Sequence, residues 1–240
     1  MDIILIPGLW LDGSSWAAVV PALEQAGHHA RPLTLPGMGP ADRDRGGVGL
    51  QDCVDAVVAV IDASPSPVML VGHSAGCGIG HAAVDARPEE VAAAVYVAGF
   101  PTGTGRPVAS GFAVVAGGIP LPEWSAFEDG DLAGLDADLR REFRRRAIPS
   151  PGRLATDLQH LRDERRYEVP VTVVATDFTS DMLRGWMEKD LEAVRELAMI
   201  HDVVSRDLPT GHWPQFSRPD DLAAIVLEVA AGAAGGDSPA

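Results

Sequence analysis

The sequence predicts an α/β fold built on a doubly wound, mostly parallel sheet. Short apolar runs rich in Val, Ile and Leu alternate with longer segments of helical periodicity, which is the pattern of buried parallel strands joined by crossover helices. Proline and glycine mark the boundaries, since Gly27 can end a helix and both Pro67 and Pro170 precede apolar runs. A chain of 240 residues can bury such a core in one large domain.

The alternation places the elements in the following order. Strands are expected at residues 2–6, 30–35, 68–71, 94–98, 171–175 and 203–208. Helices are expected near residues 15–26, 50–63, 75–86, 182–197 and 219–231. Within the first of these helical segments, Pro21 argues against one straight helix. These elements form a predicted core of residues 1–100 and 169–231.

Residues 101–168 interrupt the alternation. They contain Gly/Pro turns and polar amphipathic stretches near residues 131–147 and 154–166, but no buried strand. We interpret them as a helical cap inserted above the sheet. The last residues, 232–240, are small and polar, so we expect a flexible tail.

Charge and composition narrow the set of partners. The formal net charge of −15 repels phosphate backbones and anionic lipid headgroups, so we expect neither nucleic acid nor a membrane as a partner. One short run is rich in arginine, with acidic and apolar residues interspersed, and we interpret it as the solvated face of a helix. Its arginines are Arg140, Arg141, Arg144, Arg145 and Arg146. A small-molecule substrate is the expected partner, and a homodimer stays open.

Neither the cysteines nor the N-terminus indicates a special compartment. Cys53 and Cys77 lack the spacing of a metal site or a disulfide framework, so we expect buried, reduced thiols and no bound metal. The first residues lack the features of a signal peptide, and no apolar run reaches the roughly 18 residues of a membrane span. A cytoplasmic location follows, and the Ala- and Arg-rich composition is typical of a bacterial, GC-rich genome.

The strongest chemical signal is a Gly-x-Ser-x-Gly motif that follows an apolar run directly. Residues 68–71 lead into Gly72-His73-Ser74-Ala75-Gly76, and a helical pattern follows. So sharp a turn strains the backbone of the serine and requires glycine two residues to either side. The hydroxyl of Ser74 would then project from the sheet beside a helix N-terminus, which stabilises negative charge. We predict that Ser74 is a nucleophile.

A serine hydroxyl needs an adjacent base, normally a histidine. His212 follows the last apolar strand and precedes the last helix, at the same sheet edge as Ser74. His73 belongs to the turn but is directed away from Ser74, and His81 on the following helix is expected to pack. We therefore predict that His212 is the base, with His81 as the next candidate.

Two carboxylates compete to orient this histidine. Asp177 and Asp181 both follow the penultimate strand. Asp177 stands at the rigid strand end and is shielded by Phe178, whereas Asp181 is well placed to cap the next helix. We favour Asp177 and keep Asp181 as the alternative.

Donors for a developing oxyanion are expected in two loops. The N–H of Ala75 follows the nucleophile, and a second donor, Leu9 or Trp10, follows the first strand. The aromatic residues of the cap line a substrate pocket or fix the cap onto the core. The candidate substrate-binding residues are Trp10, His73, Trp124, Phe127 and Trp213.

Three segments carry a resemblance to the α/β-hydrolase family: residues 7–10, residues 72–76 and residues 211–213. The resemblance covers nearly the whole chain except the cap. Within the family, the chain looks most like the small bacterial esterase and haloperoxidase-like members that carry a helical cap. This resemblance implies a Ser–acid–His triad in that chain order, an acyl-enzyme hydrolysed by water, and no cofactor. Because the first strand begins at residue 2, we expect the two leading edge strands of larger members to be absent.

These residues predict a serine hydrolase that acts on a small ester-type substrate. The same constellation also serves carbon–carbon bond, thioester and lactone hydrolysis, and lyase or cyclase steps, so these reactions stay open. A non-catalytic ligand-binding relative is the third alternative, although such proteins normally lack the nucleophile or the base. A P-loop or dinucleotide site is excluded because residues 7–13 lack the required glycine spacing and lysine.

Overall fold

The computed structural model of the protein describes residues 1–39 and 45–235. Its strands in chain order are β1 (Asp2–Ile6), β2 (His29–Pro32), β3 (Val68–His73), β4 (Val91–Val97), β5 (Gly118–Ile119), β6 (Ser150–Pro151), β7 (Val171–Ala175) and β8 (Val203–Asp207). Among these residues, six strands form one parallel sheet in the order β2-β1-β3-β4-β7-β8. Strands β5 and β6 form a separate antiparallel pair.

Helices cover both faces of the sheet. In chain order they are α1 (Val20–Gln25), α2 (Leu50–Asp62), α3 (Ala75–Ala86), α4 (Ala137–Arg146), α5 (Ser180–Glu188), α6 (Pro214–Ser217) and α7 (Pro219–Gly235). Because side chains alternate along a strand, Ile4 and Ile6 of β1 pack in the cluster that contains α2 and α3, while Ile3 and Leu5 pack in the one that contains α1 and α7. The predicted doubly wound α/β fold is confirmed.

Several elements are shorter or more broken than predicted. The segment 15–26 consists of a 3-10 turn (Gly13–Trp16) followed by α1, whose first turn contains Pro21. The segment 182–197 consists of α5 followed by further 3-10 turns. Strand β2 already ends at Pro32, on the edge of the sheet.

Residues 101–168 contain less helix than predicted. Helix α4 falls within the first amphipathic stretch, but the second stretch, residues 154–166, forms turns rather than a helix, so that expectation is wrong. Several of its polar residues are exposed, but Gln159 and Arg166 are buried and bind groups of the core, so these two do not belong to a solvated helix face. The division into core and cap stays a prediction.

The arginine run lies on α4. Arg141, Arg145 and Arg146 are exposed, as expected for a solvated helix face. Arg140 and Arg144 are partly buried instead, and they donate hydrogen bonds to backbone carbonyl groups of neighbouring loops.

The C-terminal helix is longer than predicted. Helix α7 continues to Gly235, so residues 232–235 are helical and the predicted start of the tail at residue 232 is wrong. The rest of the predicted tail, residues 236–240, lies outside the described residues. None of the helices within the described ranges has both the length and the apolar character needed to cross a bilayer.

Both cysteines are buried and free, as predicted. Burial, together with the negative charge of Asp52, raises the pKa of the Cys53 thiol to about 12. Burial also raises the pKa of Cys77, despite hydrogen bonds that favour its thiolate. Both thiols are therefore held in their unreactive, protonated form.

Candidate active site

Ser74 occupies a strained turn between β3 and α3. Its backbone angles are φ 54° and ψ −123°, a region that residues other than glycine rarely adopt. A Cβ atom on Gly72 would lie 2.6 Å from the carbonyl oxygen of Gly76, and one on Gly76 would lie 2.7 Å from the carbonyl oxygens of Ile6 and Pro7. Only glycine fits at either position, and the turn leaves Ser74 partly exposed at the carboxyl end of the sheet.

His212 and Asp177 lie at the same edge of the sheet. His212 belongs to the loop between β8 and α6, and its Nε2 atom lies 2.9 Å from Oγ of Ser74. Its Nδ1 atom lies 3.1 Å from Oδ2 of Asp177, just beyond the end of β7. The hydroxyl of Thr176 donates to the other carboxylate oxygen of Asp177 at 3.1 Å. The three predicted side chains thus form one hydrogen-bonded chain.

The surroundings of Asp177 favour its ionised form. Burial opposes ionisation, but the hydrogen bond and charge of His212, with a smaller contribution from Thr176, outweigh it and lower the pKa of the carboxyl group. The side chains of His212 and Asp177 are 24% and 19% exposed, so solvent can reach both groups. A negative charge is therefore available next to an accessible imidazole.

Asp181 lies apart from these groups. Its side chain is 87% exposed and pairs with Arg184 at 3.0 Å. The capping role predicted for it is wrong, because Thr179 is the N-cap of α5 and its hydroxyl accepts the N–H of Met182 at 3.2 Å. Asp181 instead lies in the first turn of the helix, where a carboxylate is favourable.

The structure separates the three candidate oxyanion donors. In the described part of the chain, the N–H groups of Leu9 and Ala75 have no acceptor. The N–H of Trp10 donates to Oγ of the buried Ser150 at 2.7 Å, so the prediction of Trp10 as a donor is wrong. Among the three candidates, Leu9 and Ala75 therefore remain as donors without an acceptor in the described residues, and Ala75 directly follows Ser74.

The aromatic candidates form a packed cluster between the cap and the loop of His212. The ring centroids of Trp213 lie 5.6 Å from Phe127 and 6.2 Å from Trp124, and that of Trp10 lies 5.9 Å from Phe127. Trp10 and Trp213 are buried, whereas Trp124 and Phe127 keep partial exposure. The cluster therefore packs residues 124 and 127 against the loops that carry Trp10 and Trp213, and a role in fixing a cap or in contacting substrate stays a prediction.

His73 does not line an open surface, so its prediction as a substrate-binding residue is wrong. Its side chain is buried, and both ring nitrogens have partners, the carbonyl oxygen of His212 and the side-chain amide of Gln215. His81 is buried as well, between the hydroxyl of Tyr96 and the carboxylate of Glu196, each at 3.0 Å.

Phe178, expected to shield Asp177, belongs to an aromatic group whose other members the sequence did not predict. The ring centroid of Phe178 lies 5.0 Å from Phe100 and 5.5 Å from Trp186. Phe100 and Phe178 follow the ends of β4 and β7, so the strand-end position that marked His212 also marked these residues.

Two cavities in the described part of the chain differ greatly in volume. A mostly apolar cavity of about 390 Å³ lies between α4 and the loop after β1, and none of Ser74, His212 and Asp177 lines it. The cavity that borders Leu9 and Ala75 measures about 10 Å³, which is room for about one water molecule. Ser74, His212 and Asp177 do not line this small cavity either.

The parallel, doubly wound sheet and the strand-turn-helix elbow define the class of the protein as an α/β-hydrolase fold. The amino-acid sequence itself, compared without the structure, gives the same class. The chain belongs to the alpha/beta hydrolase family, which it matches over residues 3–225.

Several relatives share this architecture along nearly their whole length. Methylesterase 7 of Arabidopsis thaliana is 24% identical over an alignment of 255 positions, and the alignment covers 95% of each chain. The crystal structure of the Arabidopsis methylesterase MES16 has a TM-score of 0.73 at 20% identity and covers 96% of this chain and 99% of that chain. A pyrethroid hydrolase from Sphingobium faniae has a TM-score of 0.66 at 22% identity and covers 96% and 97%. At such identities, the structural likeness shows the common fold.

Proposed function

We propose that the protein is a serine hydrolase that cleaves a small carboxylic ester through an acyl-enzyme. The observation that carries this proposal is the hydrogen-bonded chain from Ser74 through His212 to Asp177, in a protein that also has free N–H groups at Leu9 and Ala75. This combination supplies a nucleophile, a base, an orienting acid and an oxyanion site.

Acylation begins at the Ser74 hydroxyl. Oγ attacks the ester carbonyl carbon while Nε2 of His212, 2.9 Å away, accepts the hydroxyl proton. The imidazole becomes positively charged, and the carboxylate of Asp177 stabilises that charge and fixes the ring orientation through Nδ1. Because the pKa of Asp177 is lowered, the carboxyl group is already ionised at neutral pH.

The carbonyl oxygen carries negative charge in the tetrahedral intermediate. The N–H groups of Leu9 and Ala75 donate hydrogen bonds to this oxygen, and the N-terminus of α3 adds a favourable dipole. Collapse of the intermediate breaks the bond to the alcohol oxygen, which takes its proton from Nε2 of His212. The acyl group is then bound to Oγ of Ser74.

Deacylation repeats these steps with water. His212 removes a proton from the water molecule, the hydroxyl oxygen attacks the acyl carbon, and the released Oγ takes the proton back. The overall reaction consumes ester and water and produces an acid and an alcohol. The proposal needs no cofactor, since water is the second substrate.

The relatives support ester chemistry. Two of them are named methylesterases and the third a pyrethroid hydrolase.

Fluorophosphonate labelling tests the proposal most directly. We expect the purified protein to be labelled once, and Ser74→Ala to lose both labelling and turnover, with a loss of about 10³-fold or more. Ser125→Ala is the matched control, because Ser125 is exposed in a 3-10 turn of the cap and should label like the wild type. Intact labelling of Ser74→Ala would overturn the assignment of the nucleophile.

A substrate panel then separates ester hydrolysis from the other reactions of the fold. We expect turnover of p-nitrophenyl esters that falls as the acyl chain grows. Labelling without any ester, thioester or lactone turnover would move the protein to carbon–carbon bond or lyase chemistry. A folded protein that neither labels nor turns over would be a binding protein.

A further inference from the structure

We propose that His73 is a positioning residue that holds the loop carrying His212. The inference rests on the proposed function, because His73 acts on the reaction only through His212. His73 directly precedes Ser74 as the last residue of β3, and its side chain is 1% exposed.

The two ring nitrogens of His73 fit one neutral form of the imidazole. Nε2 lies 2.7 Å from the carbonyl oxygen of His212, and since a carbonyl oxygen can only accept, Nε2 carries the hydrogen. Nδ1 is then an acceptor, and Nε2 of the Gln215 side chain lies 3.3 Å from it as a donor. Gln215 therefore selects the form of His73 that can bind His212.

The backbone of His212 is held from its other side by the cap. Its N–H donates to the carbonyl oxygen of Asp131 at 2.8 Å, and the N–H of Gly211 donates to that of Ala133 at 2.9 Å. A Cβ atom on Gly211 would lie 2.3 Å from the carbonyl oxygen of Asp131, so the approach is close. The loop is clamped between the cap and the imidazole of His73.

His73 also contacts the loop that carries the free N–H of Leu9. A Cβ atom on Gly8 would lie 2.7 Å from Nδ1 of His73 and 3.0 Å from Cβ of Ser74. His73 is therefore bonded to the loop of the base, adjacent to the nucleophile and packed against the loop of the oxyanion site. A shift of this ring would change the relative positions of all three groups.

The imidazole of His73 must stay neutral if its Nδ1 atom is to accept the hydrogen bond from Gln215. Burial and the nearby charge of His212 lower the pKa of His73 to about 3. The two ring centroids are 5.3 Å apart, so a charged His73 would oppose the positive charge that His212 gains during the reaction. Nδ1 of His73 thus keeps its ability to accept the hydrogen bond from Gln215 throughout the neutral pH range.

A pair of amide substitutions at this position tests the proposal. In His73→Gln the amide nitrogen can replace Nε2 as a donor to His212, whereas in His73→Asn the shorter amide replaces only Nδ1. We expect kcat within about 3-fold of the wild type for Gln, and about 10- to 100-fold lower for Asn, with little change in KM. Fluorophosphonate labelling should slow in proportion to kcat.

His81→Asn is the matched control, since His81 is another buried histidine bonded at both nitrogens. It should lower the unfolding temperature while leaving kcat unchanged. If His73→Asn does not fold, Gln215→Met replaces it: loss of the donor to Nδ1 should lower kcat about 3- to 10-fold. Side-chain ¹⁵N spectra of the wild type should show His73 protonated at Nε2 alone at pH 6.

The outcomes separate the two proposals. Equal kcat for the Gln and Asn variants, unchanged kcat for Gln215→Met, or a proton on Nδ1 of His73 would overturn the positioning role while the hydrolase proposal stands. A wild type without labelling or turnover would overturn both.

Discussion

Two regions of this molecule contain the same sequence of hydrogen-bonding groups, a hydroxyl, an imidazole and a carboxylate. At the sheet edge the groups belong to Ser74, His212 and Asp177, and behind α3 they belong to Tyr96, His81 and Glu196. The distances in the two regions are nearly equal. Only the first region is open to solvent, because His81 is 1% exposed and Tyr96 is fully buried.

The second region is built for packing rather than for reaction. Burial raises the pKa of the Tyr96 hydroxyl well above its usual range, so this hydroxyl does not ionise. Glu196 is shared with the buried Arg166, which also binds Asp85 at 3.2 Å. The comparison teaches that the same three kinds of groups can occur in a buried network and at an accessible sheet edge, and that only at the accessible edge does the hydroxyl belong to a strained turn.

Substitution of the two histidines gives the largest expected contrast. His212→Gln should lower kcat about 10⁴-fold or more, because no base remains next to Ser74. His81→Gln should keep kcat within about 2-fold and lower stability, since a buried hydrogen-bond network loses one member. Steady-state kinetics and urea unfolding of both variants measure this contrast, which a large loss of kcat in His81→Gln would break.

The two carboxylates give the next contrast. Asp177→Asn should lower kcat about 10²- to 10⁴-fold through loss of imidazole orientation, with a normal fold. Glu196→Gln should leave kcat unchanged but cost about 1.5–3 kcal/mol of stability, because a charged hydrogen bond to Arg166 is lost. Thermal unfolding and kcat, measured on the same samples, decide; the reverse pattern would exchange the roles of the two regions.

Acidification should destabilise the protein through its buried histidines. Burial lowers the pKa of His73 to about 3, and it also lowers the pKa of His81 although Glu196 opposes the shift, so both bind a proton less readily in the folded than in the unfolded state. Histidines in the unfolded chain bind protons below about pH 6.5, so stability is lost as pH falls below that value, by about 1.4 kcal/mol per pH unit for each histidine that stays neutral.

Urea unfolding between pH 8 and pH 5 measures this loss. Because the net charge also changes on acidification, the informative quantity is the difference between wild type and His81→Gln, which should narrow as pH falls. A constant difference across the range would show that His81 does not titrate on unfolding.

Asp181→Asn should have the smallest effect. Asp181 is exposed, does not cap α5 and pairs only with Arg184 on the same helix. We expect kcat within about 2-fold and a change in stability below about 0.5 kcal/mol. A loss of kcat as large as that of Asp177→Asn would make Asp181 the orienting acid.

Local sequence carries much of the fold and the core of the candidate site. The elbow needs only the residues between 68 and 76, because the apolar strand, the glycines and the serine are neighbours in the chain. His212 and Asp177 follow from strand ends, since parallel strands bring those ends to one edge. In each case the physical cause lies within a few residues of the group.

The missed features depend on contacts across long stretches of chain. The amide of Trp10 is taken by Ser150, which is 140 residues away, and His73 binds His212 across 139 residues. Arg166 suggested a solvated helix, but partners on α3 and beyond β7 bury it. In a sequence, a polar residue with a buried partner looks like a surface residue. Neither the absence of a helix over residues 154–166 nor the role proposed for His73 could therefore be predicted.

The carbonyl groups of Asp131 and Ala133 have a consequence for engineering this enzyme scaffold. They accept the N–H groups of His212 and Gly211, so the segment that contains residues 131 and 133 helps to fix the position of the imidazole. A cap transplanted from another member to alter substrate choice would therefore have to present carbonyl oxygens at these same two points. We therefore expect an exchange of residues 101–168 to change turnover together with substrate choice.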